Sequence, residues 1–294
     1  MNFKSAFIAI IGPPNVGKST LLNRILGTKL AIVSAKPQTT RNRIIGVYHG
    51  ECFQMIFMDT PGIHKTKTAL HESMVKAALA SFHEVDIMLL LIQLNRHDDP
   101  EINPITATLK QIKKPCVLAI NKIDNGPKEH LLPIIDHYSK VYPFEAIIPI
   151  SALKGDGVGM LLSELKSRLR PSPRLFPQDM KTDQQESFLV SEIIREKIYS
   201  HTTKELPYSS AVTVDQIQEI PGRNLLSISA RIHVETDSQK GILIGQDGRM
   251  IKAIGRSARL ELEKLFGMRV YLGLMVRVEK NWSKDPKALR RLGY

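Results

Sequence analysis

Gly12-Pro-Pro-Asn-Val-Gly-Lys-Ser-Thr20 (GPPNVGKST) follows the apolar run 5–11 and opens the helical pattern Leu21, Leu22, Ile25, Leu26. Strand, glycine-bearing loop and helix in that order are the setting in which G-x-x-x-x-G-K-[ST] holds phosphate, because the loop amides and the helix N-terminus turn inward on the oxygens. In that frame Gly12, Asn15, Val16, Gly17, Lys18, Ser19 and Thr20 line the phosphates. Lys18 is expected to reach the β- and γ-phosphates and Ser19 to ligate Mg2+. Outward from the loop, short apolar runs at 5–11, 43–48, 52–58, 86–93, 115–120 and 146–150 alternate with helical patterns as far as about residue 170. Such alternation predicts an α/β fold whose six-stranded sheet is mostly parallel. His49, Gly50 and Glu51 leave a turn-length gap between the second and third runs, so these two should form a hairpin and make one edge antiparallel.

A phosphate loop leaves the base open. Asn121-Lys122-Ile123-Asp124 follows an apolar strand, where ligand-binding loops of such sheets lie. The Asp124 carboxylate can accept two hydrogen bonds from guanine N1 and N2, whereas adenine would strand it, at a cost of about 1–3 kcal/mol or more. Lys122 would lay its stem along the base, and Ser151-Ala152 resembles the loop that places a backbone amide on guanine O6. Asp59-Thr60-Pro61-Gly62 closes the third strand; Asp59 would hold Mg2+ through water and the Gly62 amide would touch the γ-phosphate, with Thr60, Pro61 and Ile63 beside it. In Gln38-Thr39-Thr40-Arg41 a threonine should close on the metal when γ-phosphate is present, Thr40 in preference to Thr39. Lys18, Thr40, Asp59 and Gly62 are thus the expected catalytic set, with Ser19 and Thr40 as metal ligands. Ile63 stands where a water-orienting glutamine would help, so slow intrinsic turnover is expected. A potassium ion near Asn15 would supply missing positive charge.

The chain has 294 residues and 43% hydrophobic content, enough for two cores, and a formal charge of +12 that suits a polyanionic partner. Cys52 and Cys116 both fall in strand-like runs, which suggests neither a disulfide framework nor a zinc site. The longest apolar run, 85–94, is too short to span a bilayer, and a soluble protein of the reducing cytosol is expected. Residues 171–180 (PSPRLFPQDM) carry three prolines and no period, which predicts a linker between a first domain, 1–170, and a second, 181–294, ending in a basic tail. The second domain has the order αββααβ: 185–201, 211–219, a Pro221-Gly222 turn, 225–235, two helices, and 269–278. Between its later helices stands Gly245-Gln246-Asp247-Gly248, preceded by Ile244 and followed by Arg249, Lys252 and Arg256. Two glycines let a nucleic-acid backbone approach, and the following helix adds amides and cations for phosphate. Residues 181–237 carry 6 Lys/Arg against 9 Asp/Glu, whereas 238–294 carry 13 against 5, so the loop lies in the basic half.

G-x-P-N-V-G-K-S, Q-T-T-R, D-T-P-G, N-K-x-D and S-A, joined to a C-terminal I-G-x-x-G in the type II KH order, closely resemble the bacterial Era family of ribosome-assembly GTPases over essentially the whole chain. The resemblance implies GTP and GDP as ligands and binding of small-subunit (16S) ribosomal RNA near its 3′ end. It also implies a role in small ribosomal subunit maturation and a cytoplasmic monomer loosely attached to the inner membrane surface. A GTP-ordered switch at Thr40 and 62–79 would gate RNA binding. Two alternatives are an RNA-binding scaffold with little turnover and a membrane-surface GTPase.

Overall fold

Nearly continuous apolar runs become interior strands, since a strand with both faces buried has no use for alternation. The computed structural model describes residues 3–33, 44–59, 85–203 and 205–294, and in contact terms one unit ends at Asp183 and a second begins at Gln184. The first unit contains β1 (Lys4–Ile11), α1 (Lys18–Leu26), β2 (Ile44–Gly50), β3 (Phe53–Asp59), β4 (Ile87–Gln93), α2 (Ile102–Ile112), β5 (Cys116–Asn121), α3 (Leu131–Val141), β6 (Ala146–Pro149), α4 (Val158–Ser167) and β7 (Arg170–Pro171). The sheet runs β2-β3-β1-β4-β5-β6; β2 is antiparallel to β3 and the other neighbours on that path are parallel. Chain order diverges on either side of β1, so the loop after β1 opens into the crevice at the carboxyl ends of the strands, where ligands of such sheets bind. The helices bury one stripe each: Ile102, Ile105 and Leu109 on α2, and Val158, Leu161 and Leu165 on α4.

Two expectations are corrected in this unit. His49 and Gly50 belong to β2, pairing with Gln54 and Phe53, so the hairpin turn is Glu51-Cys52 and Cys52 is exposed in it. The proline-rich segment 171–180, expected as a linker, is bound along the first unit's sheet. β7 adds a seventh, short antiparallel strand beside the start of β1, Phe176 joins the core edge-on to Phe7, and buried Gln54 receives the Leu175 and Phe176 amides at 3.0 and 3.2 Å. Further along, the Val47 amide donates to Lys181 O at 2.8 Å and Thr182 Oγ1 to Ile45 O at 2.6 Å. Proline excludes helix and lacks an amide, but it leaves carbonyls and extended backbone that an existing sheet edge can hold.

The second unit comprises α5 (Glu186–His201), β8 (Ala211–Ile220), β9 (Leu225–Val234), α6 (Asp237–Ile244), α7 (Arg249–Phe266), β10 (Arg269–Val278) and α8 (Pro286–Arg291). β9 is central, antiparallel to β8 and parallel to β10. One sheet face is apolar and packs with α5, α6 and α7. Ile254, Ala258 and Leu262 recur every four residues on α7 and are fully buried, and Ile254 and Leu262 each contribute about 1.5–3 kcal/mol by leaving water. The basic C-terminal residues are anchored to this unit by apolar side chains. Asp285 caps α8, Trp282 is fully buried with its Nε1 donating to Ser209 O at 3.1 Å, and Tyr294 stacks on it, while Lys287 and Arg290 stay outside.

Candidate nucleotide site and nucleic-acid interface

The loop after β1 turns tightly because three of its positions take positive φ: Gly12 (148°), Asn15 (62°) and Gly17 (102°). At Gly12 a Cβ would lie 2.2 Å from Leu91 O, and at Gly17 it would lie 2.4 Å from Asn121 Nδ2, so both sites exclude a side chain. Gly17 then leads directly into α1, and the first amides of that helix face the loop. Lys18 folds back over the loop, its buried Nζ donating to Gly12 O and Pro13 O, both at 2.9 Å. Burial pushes its pKa down, against the pull of Asp59 and Glu101. Ser19 Oγ donates to Asp59 Oδ2 at 2.7 Å, which brings the end of β3 to the start of α1.

The remaining loops are tied to this one. Asn121, 2% exposed at the end of β5, donates to Val16 O at 2.7 Å and accepts from the Ala152 amide at 2.9 Å. Asn121 thus joins three loops with one donor and one acceptor site, and its amide keeps a second N–H and a second lone pair. The Ala152 amide, expected on guanine O6, already has Asn121 as a partner. Lys122 takes a left-handed backbone (φ 64°) and spans the site, its Nζ donating to Asn15 O and Gln93 Oε1, both at 2.7 Å; burial, then Arg96, lowers its pKa. Asp124 stays partly open, with Ser151 Oγ donating to its Oδ1 at 2.6 Å and holding its pKa low. An ionised acceptor so placed suits paired N–H donors on a base edge. Thr20 lies in the first turn of α1. Thr39, Thr40, Thr60, Pro61, Gly62 and Ile63 lie outside the described residues.

Two positioning residues escaped the sequence reading. Gln93 ends an otherwise apolar strand, a polar terminus at the carboxyl edge that could have marked it. Arg24 donates from α1 to Ala152 O at 3.2 Å and to Leu153 O, fastening the loop after β6, and no local pattern announces this.

In the second unit, Gly245 (φ 70°), Asp247 (53°) and Gly248 (74°) make the turn between α6 and α7, and a Cβ at Gly245 would meet Met250 Cβ at 2.8 Å. Thr236 caps α6 by accepting from the Gln239 amide at 3.2 Å. Gln246, Asp247 and Arg249 are exposed, while Ile244 is half-buried beneath them. Lys252 and Arg256 line a cleft of about 460 Å³ between α7 and β10, together with Gly255, Arg259, Tyr271 and Leu274. Arg249 is outside that cleft and lies 3.8 Å from Asp247. The cleft has a basic wall and an apolar floor, which fits a phosphate backbone with unstacked bases.

A phosphate loop at the switch point of a mostly parallel sheet, with an open carboxylate at the base position, defines the first unit as a P-loop GTPase domain, and the second is a KH domain. Residues 7–122 match the family described as 50S ribosome-binding GTPase, and 205–283 match the KH domain family. The chain belongs to the GTPase Era family. It is 54% identical over 292 residues to GTPase Era of Syntrophus aciditrophicus, covering 99% of this chain and 95% of that one, and 48% identical to that of Geobacter metallireducens, covering 99% and 98%. Among solved structures, a point variant of Aquifex aeolicus Era bound to GDP and AlF4− superposes with a TM-score of 0.96 at 41% identity, 99% of each chain being covered. An Era complex with MgGDPNP and nucleotides 1506–1542 of 16S ribosomal RNA gives 0.95 at 41% identity with the same coverage. The protein is accordingly a GTPase that binds guanine nucleotides.

Proposed function

We propose that this protein is a GTP-driven switch that binds 16S ribosomal RNA near its 3′ end and assists maturation of the small ribosomal subunit. The observation that carries the reading is the presence in one chain of a phosphate loop with an open carboxylate at the base position and a basic cleft along the helix that follows the G-x-x-G turn. The Era complex with nucleotides 1506–1542 of 16S ribosomal RNA supports the choice of RNA.

In the nucleotide site Gly12, Asn15, Val16, Gly17, Ser19 and Thr20 supply the loop and helix amides, and Lys18 exchanges its carbonyl partners for phosphate oxygens. Asp124 takes guanine N1 and N2, Lys122 covers the base, and Asn121 holds the loops that do so. Ser19 and Asp59, 2.7 Å apart, form a hard-oxygen pair beside the phosphate loop that fits Mg2+, Ser19 as a direct ligand and Asp59 through water, with Thr40 as the further ligand. When bound, the metal would neutralise developing phosphate charge. Gly62, flanked by Thr60, Pro61 and Ile63, would meet the γ-phosphate. Potassium near Asn15 would add charge there, and equal turnover in potassium and sodium buffers would refute that assignment. On the RNA side, Gly245 and Gly248 admit the backbone, with Gln246, Asp247 and Arg249 at the loop, Ile244 beneath, and Lys252 and Arg256 tracking phosphates.

The protein works as a cytoplasmic monomer with peripheral attachment to the inner membrane. RNA affinity in the GTP-analogue and GDP states tests the switch; equal affinities would remove the gating. Ile63 favours a second reading, a scaffold with little turnover, which single-turnover hydrolysis distinguishes.

A further inference from the structure

The KH sheet has two faces, and the apolar one accounts for its helices. The other follows from the strand register. β10 presents Arg269, Tyr271, Gly273, Met275 and Arg277 outward, and opposite them on β9 stand Leu225, Ser227, Ser229, Arg231 and His233. On β8, Gln218, Gln216 and Thr213 continue the rows, the parity being kept by the irregularity at Asp215. Tyr271 and Met275 are 64% and 67% exposed; Ser227 lies between Tyr271 and β8, Ser229 beside Gly273, and Arg231 beside Met275. Arg231, Arg269 and Arg277 are the cations of this face; of the acids beside them, Asp215 is engaged by Arg231 at 2.6 Å and Glu279 by His233 and Arg291.

Hydroxyls, a flat glycine- and serine-lined centre, an open aromatic ring and an excess of arginine suit single-stranded RNA. A protein partner would call for a larger apolar core with fewer charges. Tyr271 also lines the cleft beside Lys252 and Arg256, so the two surfaces are continuous across the β10 edge.

We propose that the outer face of the β8–β9–β10 sheet is a second single-strand RNA surface, reached over Tyr271, that holds the nucleotides leaving the G-x-x-G cleft. The proposal rests on the RNA reading above. A KH loop clamps about four nucleotides, so bases beyond these need a separate platform. From Arg269 to Arg277 the strand offers one of about 25 Å at roughly 3.3 Å per residue.

The test uses the full-length protein and two oligoribonucleotides from the 16S 3′ region, one of about four residues and one of about ten. The double variant Met275→Ser, Arg277→Ser changes only exposed side chains, and Lys252→Ser changes the cleft. The double variant should bind the short RNA as the unaltered protein does, and the long RNA roughly fivefold more weakly or worse. Its log–log salt slope for the long RNA should fall by about one. Lys252→Ser should weaken both. Unchanged affinity of the double variant for the long RNA, or equal loss on both, overturns the proposal. If the unaltered protein binds neither RNA, the RNA reading fails and this surface fails with it.

Discussion

Replacing Asn121 by alanine separates holding the site together from reading the base. The side chain is 2% exposed and makes two hydrogen bonds, to Val16 O at 2.7 Å and from the Ala152 amide at 2.9 Å. Two such bonds contribute about 1 kcal/mol each net, and a buried carbonyl or amide left without its partner costs about 1–3 kcal/mol. Water admitted to the vacated space recovers part of that, leaving a combined loss of about 2–4 kcal/mol. The loss divides between folding and binding, because the joined loops exist before the ligand arrives and must keep their places when it does. Carried wholly by binding, it would be roughly 30- to 1000-fold in affinity. Unfolding free energy from urea titration, and affinities for GTP, ITP and XTP by fluorescence titration, measure the two shares. GTP, ITP and XTP should weaken by a common factor, since both bonds of Asn121 go to loops and the three bases differ only on the edge assigned to Asp124. A summed loss below about 1 kcal/mol, or a changed preference among bases at unaltered stability, would refute this reasoning.

Asp124 is the converse case: ITP lacks the guanine N2 donor and should bind more weakly by about 1.5–3 kcal/mol, and Asp124→Asn should abolish that difference in a competition titration. His233 is 1% exposed, between Thr213 Oγ1 at 2.8 Å and Glu279 Oε2 at 3.0 Å. Burial, then Arg291, Arg231 and Arg277, push its pKa down to about 4 against Asp215, and Glu279 is shared with Arg291. The folded state thus binds fewer protons than the unfolded one between about pH 6.5 and 4. Stability is complete above that window and falls by up to about 3 kcal/mol on acidification through it. His233→Gln should flatten that part of the denaturation profile, and an unchanged profile would count against the assignment. Gln54→Ala removes the acceptor of the Leu175 and Phe176 amides from a fully buried position, and should cost about 2–4 kcal/mol while exposing 171–183 to trypsin at Arg174 and Lys181; protection equal to that of the unaltered protein would mean the segment is held by other contacts.

What was legible in the sequence was whatever repeats locally. Unbroken apolar runs located β4 and β5 within a residue or two. The motif residues were legible for the same reason, since a turn at Gly12 or Gly245 constrains its own neighbours. What was not legible depends on partners distant in the chain. The segment 171–183 has no pattern of its own, and Gln54, more than a hundred residues earlier, holds it. The C-terminal basic residues suggested a tail because charge is visible in sequence, whereas the burial of Trp282 beneath them is not. Asn121 was legible as part of its motif, but its bonds to Val16 and Ala152, which tie together loops distant in the chain, were not.

The two sites use one backbone device to different ends. Each places left-handed residues ahead of a helix N-terminus, Asn15 and Gly17 before α1, Asp247 and Gly248 before α7, so that amides face an anion. Around the first, Asn121, Lys122 and Lys18 bind the loop carbonyls and fix the site before any ligand arrives. Around the second, Asp247 has, among the described residues, long contacts to Arg249 and Lys252, at 3.8 and 3.5 Å, and the loop residues Gln246 and Asp247 are exposed. A fixed cradle discriminates because a wrong base leaves buried polar groups unsatisfied. An open loop accepts a backbone and leaves sequence to the surfaces beyond it. The guanine choice should therefore be sharp and hold across salt concentrations, while RNA affinity should fall steeply with salt. Measured together on one preparation, a nucleotide preference that faded with salt, or an RNA affinity that did not, would break the division of labour.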